Sequence, residues 1–160
     1  MVVAGLVGGI GLGVGCVPAP KRTTYSLANA DGSPVFAVLP AESAEFPGVA
    51  RATTDRMRRA RIKGFGPPAM SKVSLEVVQL SIECVEPTVA CYARVGEELA
   101  ATQMLFAKIE PGPGREQVKV TVTLFDVAGQ RRTRAAAKVF ATEEDVPYGI
   151  GDVIAEATRP

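Results

Sequence analysis

The period of the apolar positions changes several times along the chain, and each change marks an element. Val35-Phe36-Ala37-Val38-Leu39 is a continuous apolar run stopped by Pro40, the pattern of a strand buried on both faces. Ser43 is a possible N-cap for a helix reaching about Lys63, with Pro47 early in it and Phe46, Val49, Thr53, Met57 and Ala60 as a thin apolar stripe. Gly64, Gly66, Pro67 and Pro68 end that helix, and Ile62 to Phe65 has the makings of a very short strand. Val73 to Cys84 carries both periods; the alternation breaks between Val77 and Val78, and Ser74 is a good cap, so a helix is favoured. Thr88 to Ala101 is a clearer helix, with Val89, Tyr92, Val95 and Leu99 on one face. Gly96 lowers its propensity and suggests a close approach by another element.

Three strands follow. Gln103 to Ile109 is the first, and Glu110-Pro111-Gly112-Pro113-Gly114 is the loop after it. Gln117 to Val127 is the second and alternates most cleanly, with Val118, Val120, Val122 and Leu124 on one face. Ala128-Gly129-Gln130 turns it into Arg132 to Phe140. Thr142-Glu143-Glu144-Asp145 opens a closing helix with Val146, Ile150, Val153, Ile154 and Ala157 inward. The order predicts an α/β (α+β) fold in residues 34–160: a single mixed sheet of four to five strands packed by three to four helices around one core.

Residues 2–15 are uncharged and apolar, and at 14 residues the run is too short for a spanning helix, which needs about 20. It has the length of the apolar part of a signal peptide. Leu12-Gly13-Val14-Gly15-Cys16 resembles the cleavage box of bacterial lipoproteins, in which small residues precede a Cys that is acylated; Leu12 stands one place further from the Cys than usual. This reading makes 1–15 a lipoprotein signal peptide, Cys16 the lipidation site and 16–33 a flexible tether. A plain apolar N-terminal segment is the bland alternative. A dinucleotide loop is disfavoured, because the glycines never fall into G-x-G-x-x-G and Pro18 and Pro20 follow.

Composition narrows the chemistry. One domain accounts for 160 residues at 47% hydrophobic and 22% charged. The net charge of +1 does not suit a nucleic-acid binder. The chain has no His, which removes Ser-His-Asp and Cys-His catalysis and His-ligated zinc. Of three cysteines, Cys16 is spoken for by lipidation, leaving Cys84 and Cys91 as a pair. The link between them carries Pro87 and is not C-x-x-C. A disulfide fits an exported protein, and two buried free thiols are the alternative.

Two groups of cations stand out. Arg56, Arg59 and Lys63 lie on the first helix, and Arg132, Arg134 and Lys138 have even spacing on the last strand. A solvated surface and a charged sheet edge explain them; contact with anionic lipid headgroups or lipopolysaccharide is the functional alternative. The adjacent carboxylates Glu97-Glu98 and Glu143-Glu144-Asp145 diverge on a helix and make poor acid–base pairs. No phosphate loop, nucleophile elbow or metal-ligand cluster appears, so no cofactor, metal, nucleic acid or small-molecule substrate is expected.

The first strand Val35-Phe36-Ala37-Val38-Leu39-Pro40, the stretch from Cys84 through Ala90-Cys91-Tyr92, Val95-Gly96 and Leu99-Ala100-Ala101 to Met104-Leu105-Phe106-Ala107, and the strand from Val118 to Val127 together resemble the small envelope domains similar to the N-terminal domain of TolB, found in myxobacterial-type lipoproteins. Ala107 stands where Gly is usual. The resemblance covers about residues 35–140 and implies that fold, a place on the periplasmic side of the bacterial envelope, at the outer membrane, and a protein-interaction role without catalytic residues. The expected function is therefore a non-enzymatic, lipid-anchored envelope protein whose α/β domain binds a protein partner. A binding module for an anionic envelope component is the alternative, and an enzyme using Cys84 or Cys91 ranks last.

Overall fold

The computed structural model describes residues 25–160; residues 1–15, expected to be a signal peptide, and Cys16 lie outside the described residues. Five strands form one mixed sheet. β1 (Phe36–Val38) is its parallel centre, flanked by β2 (Ala69–Met70) and β3 (Gln103–Pro111). β4 (Val118–Asp126) and β5 (Arg131–Phe140) continue from β3 antiparallel, giving the order β2-β1-β3-β4-β5. The helices are α1 (Pro47–Met57), α2 (Leu75–Ser81), α3 (Val89–Glu98) and α4 (Val146–Thr158). The mixed sheet with four helices is the architecture the patterning predicts.

Each face of the sheet carries its own core, as the period of 2 along a strand requires. Phe36, Val38, Leu105, Val118, Val120, Val122 and Leu124 pack under α1 and α4 with Val49, Met57, Ile150 and Ile154. Val35, Ala37, Leu39, Met104, Phe106 and Phe125 pack under α2 and α3 with Val78, Tyr92, Val95 and Leu99. β1 is thus buried on both sides, which is why its sequence is an unbroken apolar run. Tyr25 and Leu27 already pack on the α2/α3 side, and the Leu27 N–H donates to Leu99 O at 2.8 Å. The packed body therefore reaches back into the stretch read as a tether.

The element ends differ from the pattern in several places; β3 runs on through Pro111 into the expected loop, and α3 ends at Glu98 rather than Ala101. Ser43 does not cap α1; its Oγ accepts from the Phe46 N–H at 3.0 Å, and the helix starts at Pro47. α1 stops at Met57 rather than near Lys63, through tight turns in which Arg59 N–H donates to Arg56 O (3.1 Å) and Ala60 N–H to Met57 O (2.9 Å). The short strand is Ala69–Met70, after the prolines, not Ile62–Phe65. α2 ends at Ser81, so Cys84 follows the helix rather than closing it.

Two helix ends share one device. Glu83 (φ 55°) and Ala100 (φ 52°) take the left-handed conformation that a glycine usually supplies. The Cys84 N–H then donates to Gln79 O and the Ala101 N–H to Gly96 O, both at 2.9 Å, which satisfies the last carbonyls of α2 and α3. Ser74 and Thr88 cap the other ends, accepting from Val77 N (3.4 Å) and Cys91 N (3.2 Å).

Candidate functional site

Cys84 and Cys91 form a disulfide, with their Cα atoms 5.5 Å apart. It joins the segment after α2 to the first turn of α3, so it fixes how the two helices meet. Buried Gln79 supports it, its Nε2 lying 3.2 Å from Cys91 Sγ. Beneath, Tyr92 packs against Phe106 and Phe125 at ring-centroid distances of 5.0 and 5.7 Å. Burial pushes the Tyr92 phenol above its ordinary pKa, with Arg132 and Lys108 pulling the other way. Gly96 is the contact point of α3 with the sheet: a Cβ there would overlap the Val127 methyl groups. The glycine suspected from sequence of permitting a close approach does so.

The outer surface of this helix pair exposes large apolar side chains among charged ones such as Glu76, Glu83, Glu86 and Arg94. Val77 and Leu80 on α2, Val85 in the loop and Val89 at the start of α3 are all exposed, Leu80 and Val85 at 65% each. Among the described residues the other large exposed hydrophobics are Val139 and Tyr148 alone, so four of six sit in one helix–disulfide–helix segment. Val77 and Leu80, three apart on a helix, share a face. The core of this side is already closed by Leu75, Val78, Tyr92 and Val95 beneath them, so packing of the domain does not explain their exposure.

The candidate cations do not gather into one patch. Arg56 and Arg59 line a groove of about 430 Å³ between the end of α1 and α4, with Arg61, Tyr148, Gly151, Asp152, Ala155 and Thr158. Lys63 is exposed beyond α1 and is not among its walls. On β5 a bulge at Leu124/Phe125 sets Arg134 opposite Leu124 and Arg132 opposite Phe125. Directly paired residues share a face. Arg134 and Lys138 therefore belong to the α1/α4 side and Arg132 to the α2/α3 side, and the even spacing read from sequence does not make one basic face. Lys138 rests over the Phe140 ring, 5.1 Å from its centre, beside Gly149 of α4.

A second hollow, about 540 Å³, lies between the Asn29–Ser33 turn and the Gly64–Gly66 segment. Its one ionisable group is Asp31, whose carboxyl is held below the usual range by the Ser33 N–H, so the turn itself uses that charge. Among the described residues no cluster of His, Cys, Asp or Glu could hold a metal, and no helix is long and apolar enough to cross a membrane.

Sequence reasoning found the disulfide pair, and it missed the apolar surface and the groove. The signal for the groove was present in Tyr148, Gly149 and Gly151, an exposed aromatic and two glycines inside a strongly patterned helix.

No protein-family model matches the chain, and no curated protein matches it. Among solved structures, PelC from Paraburkholderia phytofirmans, crystallised as a dodecamer in two space groups, is 16% identical. One of the two structures aligns over 84% of this chain and 95% of that one at a TM-score of 0.42, the other over 86% and 95% at 0.41. A DUF330 protein from Xanthomonas campestris aligns over 88% of this chain and 84% of that one, at 9% identity and a TM-score of 0.27. Likeness at this level transfers no function, partner or assembly to the chain.

Proposed function

We propose that this is a non-enzymatic, lipid-anchored protein of the bacterial cell envelope, attached through Cys16, whose α/β domain binds another protein through the outer face of α2 and α3. The observation that carries the reading is the cluster of exposed Val77, Leu80, Val85 and Val89 on a disulfide-pinned scaffold. Large apolar side chains held rigidly in water mark an interaction surface, because covering them releases water at little cost in ordering. A disulfide is at home in the oxidising compartments outside the cytoplasm, in keeping with an envelope address. The absence of His from the whole sequence removes imidazole as a general acid or base, and the adjacent carboxylates of the chain diverge on helices, which favours binding over catalysis.

The test is a crosslinked purification of the full chain from membranes, run beside a Leu80→Ser, Val85→Ser double variant. A specific partner retained by the wild type and lost by the variant, with the variant's melting temperature unchanged, is the expected result. Equal recovery by both proteins would sink the assignment of this face. Mass spectrometry of the membrane-extracted protein tests the anchor separately: acylated Cys16 is expected, and an unmodified Cys16 contradicts it.

A further inference from the structure

We infer that the groove between the end of α1 and α4 binds an organic phosphoester, with Arg56 and Arg59 holding the phosphate. This stands apart from the apolar face of α2 and α3 and does not depend on it.

The geometry begins with the tightened end of α1. The Arg59 N–H donates to Arg56 O at 3.1 Å. In such a turn residues three apart lie over one another. Arg56 and Arg59 both line the wall that faces α4. Cations at a helix C-terminus often serve the helix itself. Arg61 lies beyond α1 and serves the turn that follows it, its Nη1 donating to Ala60 O at 2.8 Å. Arg56 stands in the last turn of α1 itself. Its guanidinium lies across α4, with Nη2 3.0 Å and Nε 3.3 Å from where a Gly151 Cβ would be. Glycine inside a helix costs stability relative to Ala, and at 151 it leaves the floor of the groove open to the guanidinium. Among the described residues Arg56 and Arg59 enter no ion pair, since the pairs formed are Arg58–Asp55, Lys108–Glu110 and Arg131–Asp126.

Two guanidinium groups on one wall, in no ion pair among the described residues, suit a phosphate, which accepts paired N–H bonds. The groove, about 430 Å³, is open to solvent along its length, so a ligand would lie along it rather than be enclosed. Tyr148, 88% exposed at the rim, offers a flat ring and a hydroxyl to the rest of the ligand. Asp152 shares the wall; its carboxylate accepts hydrogen bonds and opposes bare anions. The combination selects a phosphate carried on a hydroxylated group, a sugar or polyol, over inorganic phosphate.

Calorimetric titration of the full chain with glucose 6-phosphate, and sedimentation with phosphatidylcholine vesicles with and without phosphatidylglycerol, distinguish a free phosphoester from a lipid headgroup. Saturable binding of either ligand, weakened about tenfold or more by Arg56→Gln and by Gly151→Leu, supports the site and names its source. Glucose alone is expected to be silent and inorganic phosphate weaker. Gly151→Leu replaces a poor helix former by a good one, so its melting temperature should not fall while its binding does. Failure of both ligands to bind, binding indifferent to the two variants, or equal competition by polyglutamate would overturn the proposal.

Discussion

The two sides of the sheet solve the same packing problem with different materials. Under α2 and α3 the helices are short, Tyr92 packs on Phe106 and Phe125, and a disulfide and Gly96 hold the pair down. Under α1 and α4 the helices are longer, the core is larger with Phe36, Phe46 and Phe140 among its aliphatic residues, and no covalent link joins them. The outer surfaces differ as well. The pinned segment exposes four large aliphatic side chains among its charged residues, whereas the unpinned pair shows an arginine-lined groove. The lesson is that a short helix pair facing outward with apolar residues needs a brace, since solvent does not favour that surface staying where it is.

Core truncations are expected to have the largest effect and to test whether the sides are equally central. Phe106→Ala, on the α2/α3 side, should cost about 3–5 kcal/mol, and Leu105→Ala, its neighbour on the α1/α4 side, about 2–5 kcal/mol. Urea denaturation measures both. A loss below about 1 kcal/mol for either would mean that its side is loosely packed.

Removing the brace comes next. The bond closes a short loop with a sequence separation of 7. In the chain-entropy model this is worth on the order of 2.5 kcal/mol. Cys84→Ser with Cys91→Ser should stay folded, because the chain is large enough to fold without the bridge. It should melt several degrees lower by calorimetry, as about 1 kcal/mol moves the midpoint roughly 2–4 °C at this size. An unchanged melting temperature would show that the bridge braces nothing.

Glycines sharpen the comparison by sign. Gly96→Ala puts a methyl into Val127 and should destabilise by about 1–3 kcal/mol despite better helix propensity. Gly48→Ala on α1 meets nothing within 4 Å and should stabilise by about 0.4–1 kcal/mol. Equal shifts from the two variants would remove the claim of close approach on the α3 side.

The smallest effect is a pH dependence confined to the α2/α3 side. Burial raises the Tyr92 pKa above its ordinary 10.0 in the folded state. The folded protein thus holds that proton more tightly than the unfolded chain. The resulting stability is fully present below pH 10.0 and is lost as pH rises through the folded value. Alkaline denaturation of Tyr92→Phe should show a shallower fall in stability above that pH; a curve parallel to the wild type contradicts it.

How much of this could be read in the sequence follows from where each feature is encoded. β4 is legible because its alternation is local, and β3 and β5 because Gly- and Pro-bearing turns set them off on either side of it. β2 is not, since two residues, Ala69 and Met70, carry no period, and their pairing with β1 is a tertiary event. α1 is shorter than its apolar stripe because Ala60 stays buried after the helix has ended, so the stripe runs on through a tight turn. The ends of α2 and α3 hide behind Glu83 and Ala100, which occupy left-handed positions without advertising them as glycine would. The split of Arg132 from Arg134 depends on one bulge. The disulfide pair was visible as a spacing. The apolar face around it was not, because Leu80 and Val85 look like core residues until their exposure is known.

The central claim is that the outer face of α2 and α3 is where a protein partner sits. The most direct measurement places a photocrosslinking amino acid at position 80 in the full chain, in membranes, beside the same probe at exposed position 115 on the β3–β4 loop. The account predicts a discrete adduct from position 80, none from position 115, and loss of the first when Val85→Ser is added. No adduct from position 80, or the same adduct from both positions, would contradict it.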